Sequence, residues 1–478
     1  MEKYKYLIKN MGLLTLSNFA IKLLSFFLVP LYTNILSTSD YGTYDLFNTT
    51  VSLLIPLLTV NIQEAVLRFS MDKDTNPNAI WHIGCRYSSI SCIVVIVALV
   101  FNHITGLLPS LKQYEFEFFF LYLFTTFTGL MLYFVRGLGR VADLSIAGVI
   151  ASAVTIFCNI IFLVFLKLGI TGCFLATILG LAAQLIYLLV RAKIWKNVKY
   201  YKDDVSLRID MVNYSKPMIA NAISWWVNNA SDRYIVTWIC GIAVNGIYSV
   251  SYKIPSIMSI LQSIFSQAWT LSATKEFDRE DKDNFFINIY NSYNFLLIIS
   301  CSALIIIDKP LAKILFAKDF YSAWQYAPFL MISTIFSGMA TFLGGILSAL
   351  KKSNLFAKSS VITAIINTIL NIILVFMIGP VGTAISTLVA YFLMWLIRLE
   401  QVKNFINLRV NIQRDLIAYL ILVVQSVALL VINVDSIFNW YQIGFFIMLL
   451  ILYYQELKTI IGKFIIKKFN NKIGEKNG

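Results

Sequence analysis

The stretch DYGTYDLFNTTVSLL, residues 40–54, returns in altered form as VNGIYSVSYKIPSIM, residues 244–258. Gly42 matches Gly246, and Tyr44 matches Tyr248. A second pair of related stretches follows in the same order, LGITGCFLATIL at 168–179 and IGPVGTAISTLV at 378–389. Two related stretches in the same order indicate an internal duplication, so we expect two halves built on one plan.

The composition indicates that this chain lies in a lipid membrane and not in water. Of 478 residues, 58% are hydrophobic and 13% are charged, whereas soluble domains carry about 25% charged residues. Mean hydropathy is +0.74, and apolar runs of about 20 residues recur along the whole chain. The six cysteines lie inside those runs without the spacing of metal ligands. We therefore expect a multi-pass membrane protein with no soluble domain, no metal site and no catalytic site.

We predict an all-α polytopic fold with fourteen transmembrane helices, called spans 1 to 14. Their approximate bounds are 11–36, 41–67, 79–102, 114–135, 142–166, 169–190, 211–240, 244–272, 284–307, 323–349, 354–378, 381–397, 415–433 and 438–457. The repeat divides them into an N-terminal lobe, 1–192, a cytoplasmic linker, 193–210, and a C-terminal lobe, 211–403. Residues 404–478 then carry spans 13 and 14 and a basic tail. Each lobe has six spans, so both share one orientation, and a pseudo-twofold axis should run along the membrane normal.

Lysines and arginines orient the spans, because cytoplasmic segments collect them. With both termini in the cytoplasm, most of the 39 basic residues fall on that side, including Arg398, Lys403 and Arg414 after span 12. The opposite segments hold only Lys112, Lys167, Lys309, Lys313 and Lys318. The net charge of +14 is thus explained by topology and by contact with anionic lipid, and not by binding of nucleic acid.

Charged residues inside the spans are concentrated on four helices. Spans 1, 2, 7 and 8 carry Lys22, Asp45, Glu64, Lys216, Asp232, Arg233 and Lys253, and also Pro30, Pro56, Pro217 and Pro255. Only Arg86 lies elsewhere, on span 3. Spans 7 and 8 are the repeat equivalents of spans 1 and 2. The charged residues and prolines that are unfavourable inside a membrane therefore lie on one symmetry-related set of helices.

The spacing of polar residues on these spans predicts a hydrated cavity. On span 1, Asn18, Lys22 and Ser25 recur at three- and four-residue steps and share one helix face. Lys22 lies roughly 16 Å into its helix, where a lysine costs about 2.5–3.5 kcal/mol in lipid. We expect an anion-binding site formed by Asn18, Lys22, Ser25, Asn228, Arg233 and Lys253, with Asp45, Asp232 and Glu64 as possible H⁺ or Na⁺ coupling residues. Alternatively, Glu64 pairs with Arg68, and Asp232 and Arg233 make a structural contact.

Two motifs carry a resemblance to a known family: YGTYDLF after the first outer turn, and DRYIVTWICGIAVNGIYSVSYKIP in the second lobe. Over essentially its whole length the chain resembles the Wzx-type lipid-linked oligosaccharide flippases, polysaccharide export proteins of the MATE-like MOP superfamily. The resemblance implies translocation of undecaprenyl-pyrophosphate-linked oligosaccharide by alternating access, for O-antigen (lipopolysaccharide), capsule or exopolysaccharide synthesis. Lys22 matches the basic position of helix 1 in that family, and Arg233 and Lys253 match those of the second lobe. Related lipid II flippases carry an arginine on helix 2, where this chain has Asp45 and Glu64.

The resemblance also implies a location and partners. We expect a multi-pass protein of the bacterial cytoplasmic (inner) membrane, a monomer without a cofactor. Its expected partners are membrane lipid, the polyprenyl-pyrophosphate-linked oligosaccharide and other membrane proteins of polysaccharide assembly.

Other functions remain open at this stage. A MATE-type cation-coupled drug antiporter shares the fold but favours an acidic, aromatic cavity, whereas basic residues here equal or exceed acidic ones. A membrane polysaccharide polymerase or ligase needs a large outer loop with an acid/base pair, and the longest outer segment, residues 308–322, offers none. A channel fits the paired lobes least.

Overall fold

A computed structural model describes residues 26–72, 75–192, 204–275, 284–350, 352–432 and 440–458. Within these ranges the chain forms α-helices and turns, one π-helical turn, Ile160–Phe165, and one 3-10 segment, Lys318–Gln325, with no strand. The predicted all-α class is confirmed.

The chain divides into two compact units that do not coincide with continuous halves. The first comprises Met1–Val250 and Leu315–Phe320, and the second comprises Ser251–Ile314 and Tyr321–Gly478. The predicted lobe boundaries at residues 192 and 211 stay a prediction.

The helices of the first unit precede residue 252. They are α1 (Phe26–Ile35), α2 (Thr38–Leu58), α3 (Ile62–Ser70), α4 (Pro77–Thr105), α5 (Pro109–Gln113), α6 (Glu115–Gly137), α7 (Val141–Asn159), α8 (Gly169–Ala192), α9 (Val205–Ser215), α10 (Met218–Cys240) and α11 (Ile242–Ser251), whose last residue opens the second unit.

The helices of the second unit follow. They are α12 (Pro255–Lys275), α13 (Phe285–Ile306), α14 (Asp308–Leu315), α15 (Ala327–Ala349), α16 (Ser353–Ile378), α17 (Pro380–Lys403), α18 (Ile412–Val431) and α19 (Tyr441–Leu452). The last residue of α14, Leu315, already belongs to the first unit.

Length and hydropathy confirm a multi-pass membrane protein. Among the described residues, nine helices are long and apolar enough to cross a membrane, and the bent pair α2 and α3 adds a tenth. These ten correspond to predicted spans 2–6 and 9–13. The remaining four predicted spans contain α1, α10, α11 with α12, and α19, which are shorter or more polar. Most of span 1 lies outside the described residues.

The prolines lie where the structure interrupts three of the predicted spans. Pro56 precedes a 65° bend between α2 and α3, where Val60 and Asn61 adopt positive φ. Pro217 separates α9 from α10, and Pro255 begins α12 after a break that follows α11. Proline removes a backbone donor and clashes with the preceding turn, so each predicted continuous helix is divided there.

The bend between α2 and α3 separates two packed cores in the first unit. Phe47 and Val51 of α2 pack with aromatic residues of α6 and α8, including Phe118 at a ring distance of 5.3 Å. Ile62 and Val66 of α3 belong to a second cluster with residues of α4, α6 and α9. The bend therefore lets one predicted span contribute to both cores.

Candidate functional site: a charged cluster where repeat-related helices cross

Helices α2 and α11 cross at the two glycines that the internal repeat matches. A Cβ atom at Gly42 would collide with the carbonyl oxygen of Ile242, and one at Gly246 would collide with that of Thr38. Only glycine permits this approach of the two backbones, as at close helix crossings in membranes. Equivalent residues touch each other when related elements meet at a local twofold axis. The contact therefore fits the duplication seen in the sequence.

One turn beyond the glycines, the same crossing brings Asp45 to its own repeat equivalent, Ser249. The Ser249 hydroxyl donates a hydrogen bond to Oδ2 of Asp45 at 2.6 Å. Asn245, one turn earlier on α11, donates to the carbonyl oxygen of Gly42 at 3.4 Å. The first repeat thus carries a carboxylate at this position and the second repeat carries a hydroxyl. The two repeats therefore differ chemically at a position where they touch.

Arg233 of α10 completes the cluster. Its Nε lies 2.8 Å from Oδ2 of Asp45, and the two side chains are 16% and 21% exposed. Its Nη1 donates to the carbonyl oxygen of Asn229 at 3.0 Å. An arginine in a membrane helix requires such partners, because an unpaired charge there is expensive. Both side chains of the pair are therefore partly accessible.

Asp232 adds a second, more deeply buried carboxylate. Its Oδ2 accepts a hydrogen bond from the hydroxyl of Tyr248 at 2.9 Å, and its Oδ1 accepts one from the backbone N–H of Arg233 at 2.9 Å. The guanidinium of Arg233 lies 4.0 Å from the same Oδ1. Asp232 therefore has both oxygens engaged, whereas Asp45 relies on one arginine and one serine.

Contacts between α10 and α2 fix the position of Arg233. The indole N–H of Trp226 donates to the carbonyl oxygen of Thr49 at 3.0 Å, and the hydroxyls of Tyr234 and Thr50 form a hydrogen bond. The rings of Trp226 and Tyr234 pack at 5.5 Å. These contacts flank Arg233 along α10, so they direct its side chain toward Asp45.

The described part of this cluster holds two carboxylates and one guanidinium. With all three ionised it carries one net negative charge, so Arg233 is neutralised by the protein itself. The predicted positive character of the site consequently depends on lysines outside the cluster. Lys22 lies outside the described residues, as do Asn18 and Ser25.

Two other predicted site residues, Lys253 and Asn228, are among the described residues. Lys253 is half-buried in the second unit, where its carbonyl oxygen accepts a hydrogen bond from Ser256 at 2.6 Å. Asn228 is buried on α10, one turn before Asp232, and its amide donates to the carbonyl oxygen of Ser224 at 2.9 Å.

The polar residues of predicted span 2 lie in different environments. Asp45 joins the cluster, but Glu64 lies beyond the bend and accepts a hydrogen bond from Tyr133 of α6 at 3.4 Å. Gln63 is buried and donates to the carbonyl oxygen of Thr126 at 3.3 Å. Both α3 side chains therefore contact α6, which the periodicity of an unbroken helix could not reveal.

Sequence reasoning matched Tyr44 with Tyr248 but did not predict that Tyr248 or Ser249 is the hydrogen-bond partner of a buried carboxylate. The signal was present in the repeat: aligning the two stretches places Ser249 opposite Asp45. Because a local axis brings equivalent positions together, the partner of a buried charge is to be sought at its own repeat equivalent.

Comparison with known proteins identifies the family. Residues 7–270, more than half of the chain, match the family described as polysaccharide biosynthesis protein. The probable low-salt glycan biosynthesis flippase Agl15 of Haloferax volcanii is 22% identical over 204 residues. That match spans 42% of this chain and 43% of the relative, less than half of either.

Solved structures place the fold. The lipid II flippase MurJ in an inward closed conformation matches with a TM-score of 0.71 at 14% identity, covering 95% of this chain and 99% of that one. An outward-facing multidrug resistance MATE transporter of the MOP superfamily gives 0.59 at 14% identity, covering 84% and 96%. This chain is therefore a multi-pass membrane protein with the MATE-like fold, and it belongs to the polysaccharide biosynthesis protein family.

Proposed function

We propose that this protein is a flippase that carries a polyprenyl-diphosphate-linked oligosaccharide across the cytoplasmic membrane by alternating access. The glycan would be a repeat unit of O-antigen, capsule or exopolysaccharide. Family membership and the fold of transporters support a transport role. The observation that carries the proposal is Arg233, a partly exposed arginine whose Nε lies 2.8 Å from the partly exposed carboxylate of Asp45.

The Asp45–Arg233 pair suggests how a diphosphate binds. Guanidinium binds carboxylate and phosphate oxygens in the same two-pronged geometry. Oδ2 of Asp45 lies 2.8 Å from Nε of Arg233, and an incoming phosphate oxygen replaces it. The displaced carboxylate keeps the Ser249 hydroxyl, which is already hydrogen-bonded to it at 2.6 Å.

This exchange gives selectivity as well as binding. A self-neutralised arginine holds small anions weakly, because each must compete with a tethered carboxylate. A diphosphate-linked glycan supplies two phosphates and many hydroxyls, so it can displace Asp45. We assign Lys22, Lys253, Asn18, Ser25 and Asn228 to the same substrate path, as further contacts to phosphate and sugar.

Asp45 is the favoured coupling residue. When a phosphate takes its arginine, its carboxylate loses its only described cation, which favours uptake of a proton or of Na⁺. Asp232 keeps Tyr248 and a backbone N–H in either state, and Glu64 lies on α3 against α6. We assign both a secondary role in coupling.

Flipping in proteoliposomes tests the proposal. The probe is undecaprenyl diphosphate bearing a fluorescent N-acetylglucosamine disaccharide, whose exposure to a membrane-impermeant quencher reports the leaflet. The wild type should flip the probe, and Arg233→Ala should lose at least tenfold in rate while staying folded. Arg68→Ala, which removes an exposed arginine at the end of α3, is the matched control. Equal rates for wild type and Arg233→Ala would contradict the assignment of Arg233.

A cation antiporter is the second candidate, favoured by the excess of one carboxylate in the cluster. This alternative predicts that a cationic dye such as ethidium is exported from cells and that Asp45→Asn abolishes export. The flippase proposal predicts that the dye is not exported and that the wild-type protein flips the lipid-linked probe. Asp72→Asn, an exposed aspartate on the same unit, controls for loss of a charge.

A further inference from the structure

A six-residue segment, Leu315–Phe320, belongs to the first unit although the chain on both sides of it, up to Ile314 and from Tyr321, belongs to the second. We call these six residues the strap. The strap joins the end of α14 to the 3-10 segment that precedes α15. The predicted topology places it, and the C-terminal end of α1, on the outer side of the membrane.

A single buried threonine holds the backbone of the strap. The hydroxyl of Thr33, on α1, donates to the carbonyl oxygen of Leu315 at 3.0 Å and accepts from the N–H of Ala317 at 3.2 Å. Thr33 is fully buried. One hydroxyl therefore satisfies two backbone groups of the strap, and both lose their partner if the strap leaves.

A charge and three apolar side chains complete the attachment. Nζ of Lys318 donates to the carbonyl oxygen of Asn34 at 2.6 Å, at the C-terminal end of α1, where the helix dipole favours a cation. Leu315, Phe316 and Phe320 are buried, and the ring of Phe320 packs edge-on against Tyr41 of α2 at 5.7 Å.

The backbone of the strap adopts a conformation that its sequence does not favour. Lys318 has a φ of 54°, which residues other than glycine adopt rarely. Such a conformation persists where surrounding contacts impose it. Contacts with α1 and α2 thus hold the seated strap against a local backbone preference, so loss of those contacts favours a change in its conformation.

We propose that the strap is a lock on the outer side of the transporter, seated on α1 and α2 in the closed state and released when the outer side opens. Alternating access moves one repeat against the other. The strap is bonded to the first unit and continuous along the chain with the second, so motion between them pulls on the Thr33, Lys318 and Phe320 contacts. The lock goes beyond the proposed function, which assigns the substrate but no gate.

Thiol labelling tests whether the strap leaves its seat. Phe316→Cys, in a variant whose six native cysteines are replaced by alanine, is reacted with a membrane-impermeant maleimide. Ile314→Cys, an exposed position just before the strap, reports unhindered reactivity. We expect Phe316→Cys to react at least tenfold more slowly than Ile314→Cys, and Thr33→Val to remove most of that difference.

Matched variants separate release from misfolding. Thr33→Ser keeps the hydroxyl and should keep the protection. Thr105→Val removes a hydroxyl bonded only within its own helix α4 and should leave the protection unchanged. If Phe316→Cys misfolds, Ala317→Cys is used in its place. Equal labelling of the strap cysteine with and without the Thr33→Val substitution would overturn the lock.

Cross-linking tests whether release is required for transport. Asn34→Cys and Lys318→Cys are joined by a short bifunctional methanethiosulfonate, which a reductant removes. Flipping of the fluorescent disaccharide probe should fall at least tenfold on cross-linking and return on reduction, and either single-cysteine variant should be unaffected by the reagent. Unchanged flipping by the cross-linked protein contradicts the lock. Labelling requires no substrate, so absence of flipping before cross-linking would count against the flippase and leave the strap result intact.

Discussion

Two arginines inside the helices, one in each unit, are held in opposite ways. Arg233 in the first unit is partly exposed and paired with carboxylates. Arg398 on α17 in the second unit is 2% exposed, and no carboxylate lies at ion-pair distance among the described residues.

The partners of Arg398 are neutral groups on two neighbouring helices. It donates to the hydroxyls of Ser359 and Ser360 on α16 and to the carbonyl oxygen of Ala340 on α15, at 2.8–3.0 Å. Its guanidinium lies 4.2 Å from the ring centre of Phe356. All of these partners are fixed by the helices that carry them, so Arg398 joins α15, α16 and α17.

The two arginines differ in the kind of partner they have and in how exposed that partner is. The partner that lies 2.8 Å from Arg233 is a partly exposed side-chain carboxylate, which we propose that an anionic ligand replaces. The partners of Arg398 are buried in the packing between helices. We therefore interpret Arg233 as a binding group and Arg398 as a structural one, and the following variants test that distinction.

The same substitution should separate the two arginines most strongly. Arg398→Lys keeps the charge, but a compact ammonium cannot reach hydroxyls and a carbonyl spread around a planar fork. We expect a loss of about 3 kcal/mol in unfolding free energy, since buried hydrogen bonds to a charged group are broken. Arg233→Lys should lose less than about 1 kcal/mol. Thermal unfolding in detergent measures both, and equal losses would contradict the comparison.

The space around Arg398 gives the next largest effect. A Cβ at Gly344 would lie 2.6 Å from the ring of Phe356 and 3.1 Å from Nη1 of Arg398. Gly344→Ala should therefore cost about 1–3 kcal/mol by overpacking. Gly444→Ala, where a Cβ meets no atom within 4 Å, should instead stabilise its helix by about 0.5–1 kcal/mol. The two melting temperatures should shift in opposite directions.

Asp308 extends the comparison to a buried carboxyl group that has no hydrogen-bond partner among the described residues. It is fully buried at the start of α14, after the membrane helix α13, and neither carboxylate oxygen has a hydrogen-bond partner among the described residues. Burial raises the pKa of its carboxyl well above the ordinary value, with Lys309 opposing. The folded state therefore holds a proton that the unfolded state releases above about pH 4.

This raised pKa makes stability fall as pH increases from about 4 toward the folded pKa. Each pKa unit by which the folded state exceeds the unfolded state adds about 1.4 kcal/mol to the stability lost at high pH. Asp308→Asn removes this pH-dependent loss because asparagine does not ionise. We expect Asp308→Asn to raise the melting temperature more at pH 8 than at pH 5, whereas Asp72→Asn should change neither. An equal gain at both pH values would show that Asp308 is not the titrating group.

Asp45 should give the smallest effect, and it tests exchange directly. In Asp45→Asn the competitor for Arg233 loses its charge, so a diphosphate binds more tightly, by about tenfold or about 1.4 kcal/mol. Binding of the fluorescent disaccharide probe to purified protein measures this change. Asp45→Asn combined with Arg233→Ala should show no gain. A gain that persists without Arg233 would mean that Asp45 acts on another cation.

Much of the architecture follows from the sequence because its causes are local. Nine of the predicted spans appear as helices of sufficient length and hydropathy, since about 20 apolar residues must form a helix in lipid. Pro56, Pro217 and Pro255 marked the interruptions for the same reason: a missing N–H acts on the adjacent turn. The sequence also singled out Asp45, Asp232 and Arg233 as charges requiring partners.

The pairing of those charges did not follow from spacing, and neither did the role of Arg398. From its position near the end of span 12, Arg398 was grouped with cytoplasmic basic residues, yet the structure buries it among three helices. Gln63 was expected on the same helix face as Asp45, and Glu64 was expected to act with Asp45 in coupling, but both follow the 65° bend and contact α6. In each case a distant helix determined the environment.

The sequence by itself thus determined that the chain lies in a membrane, where its helices run, where they break and that it contains a duplication. The helices and their breaks could be predicted because hydropathy and backbone chemistry act over one or two turns. Only the tertiary structure decided that Gly42 meets Gly246, that Asp45 therefore meets Ser249, and that Arg233 is neutralised by Asp45. Those contacts depend on the crossing of helices far apart in the chain. Packing between such distant helices encloses Arg398 and leaves Arg233 partly exposed.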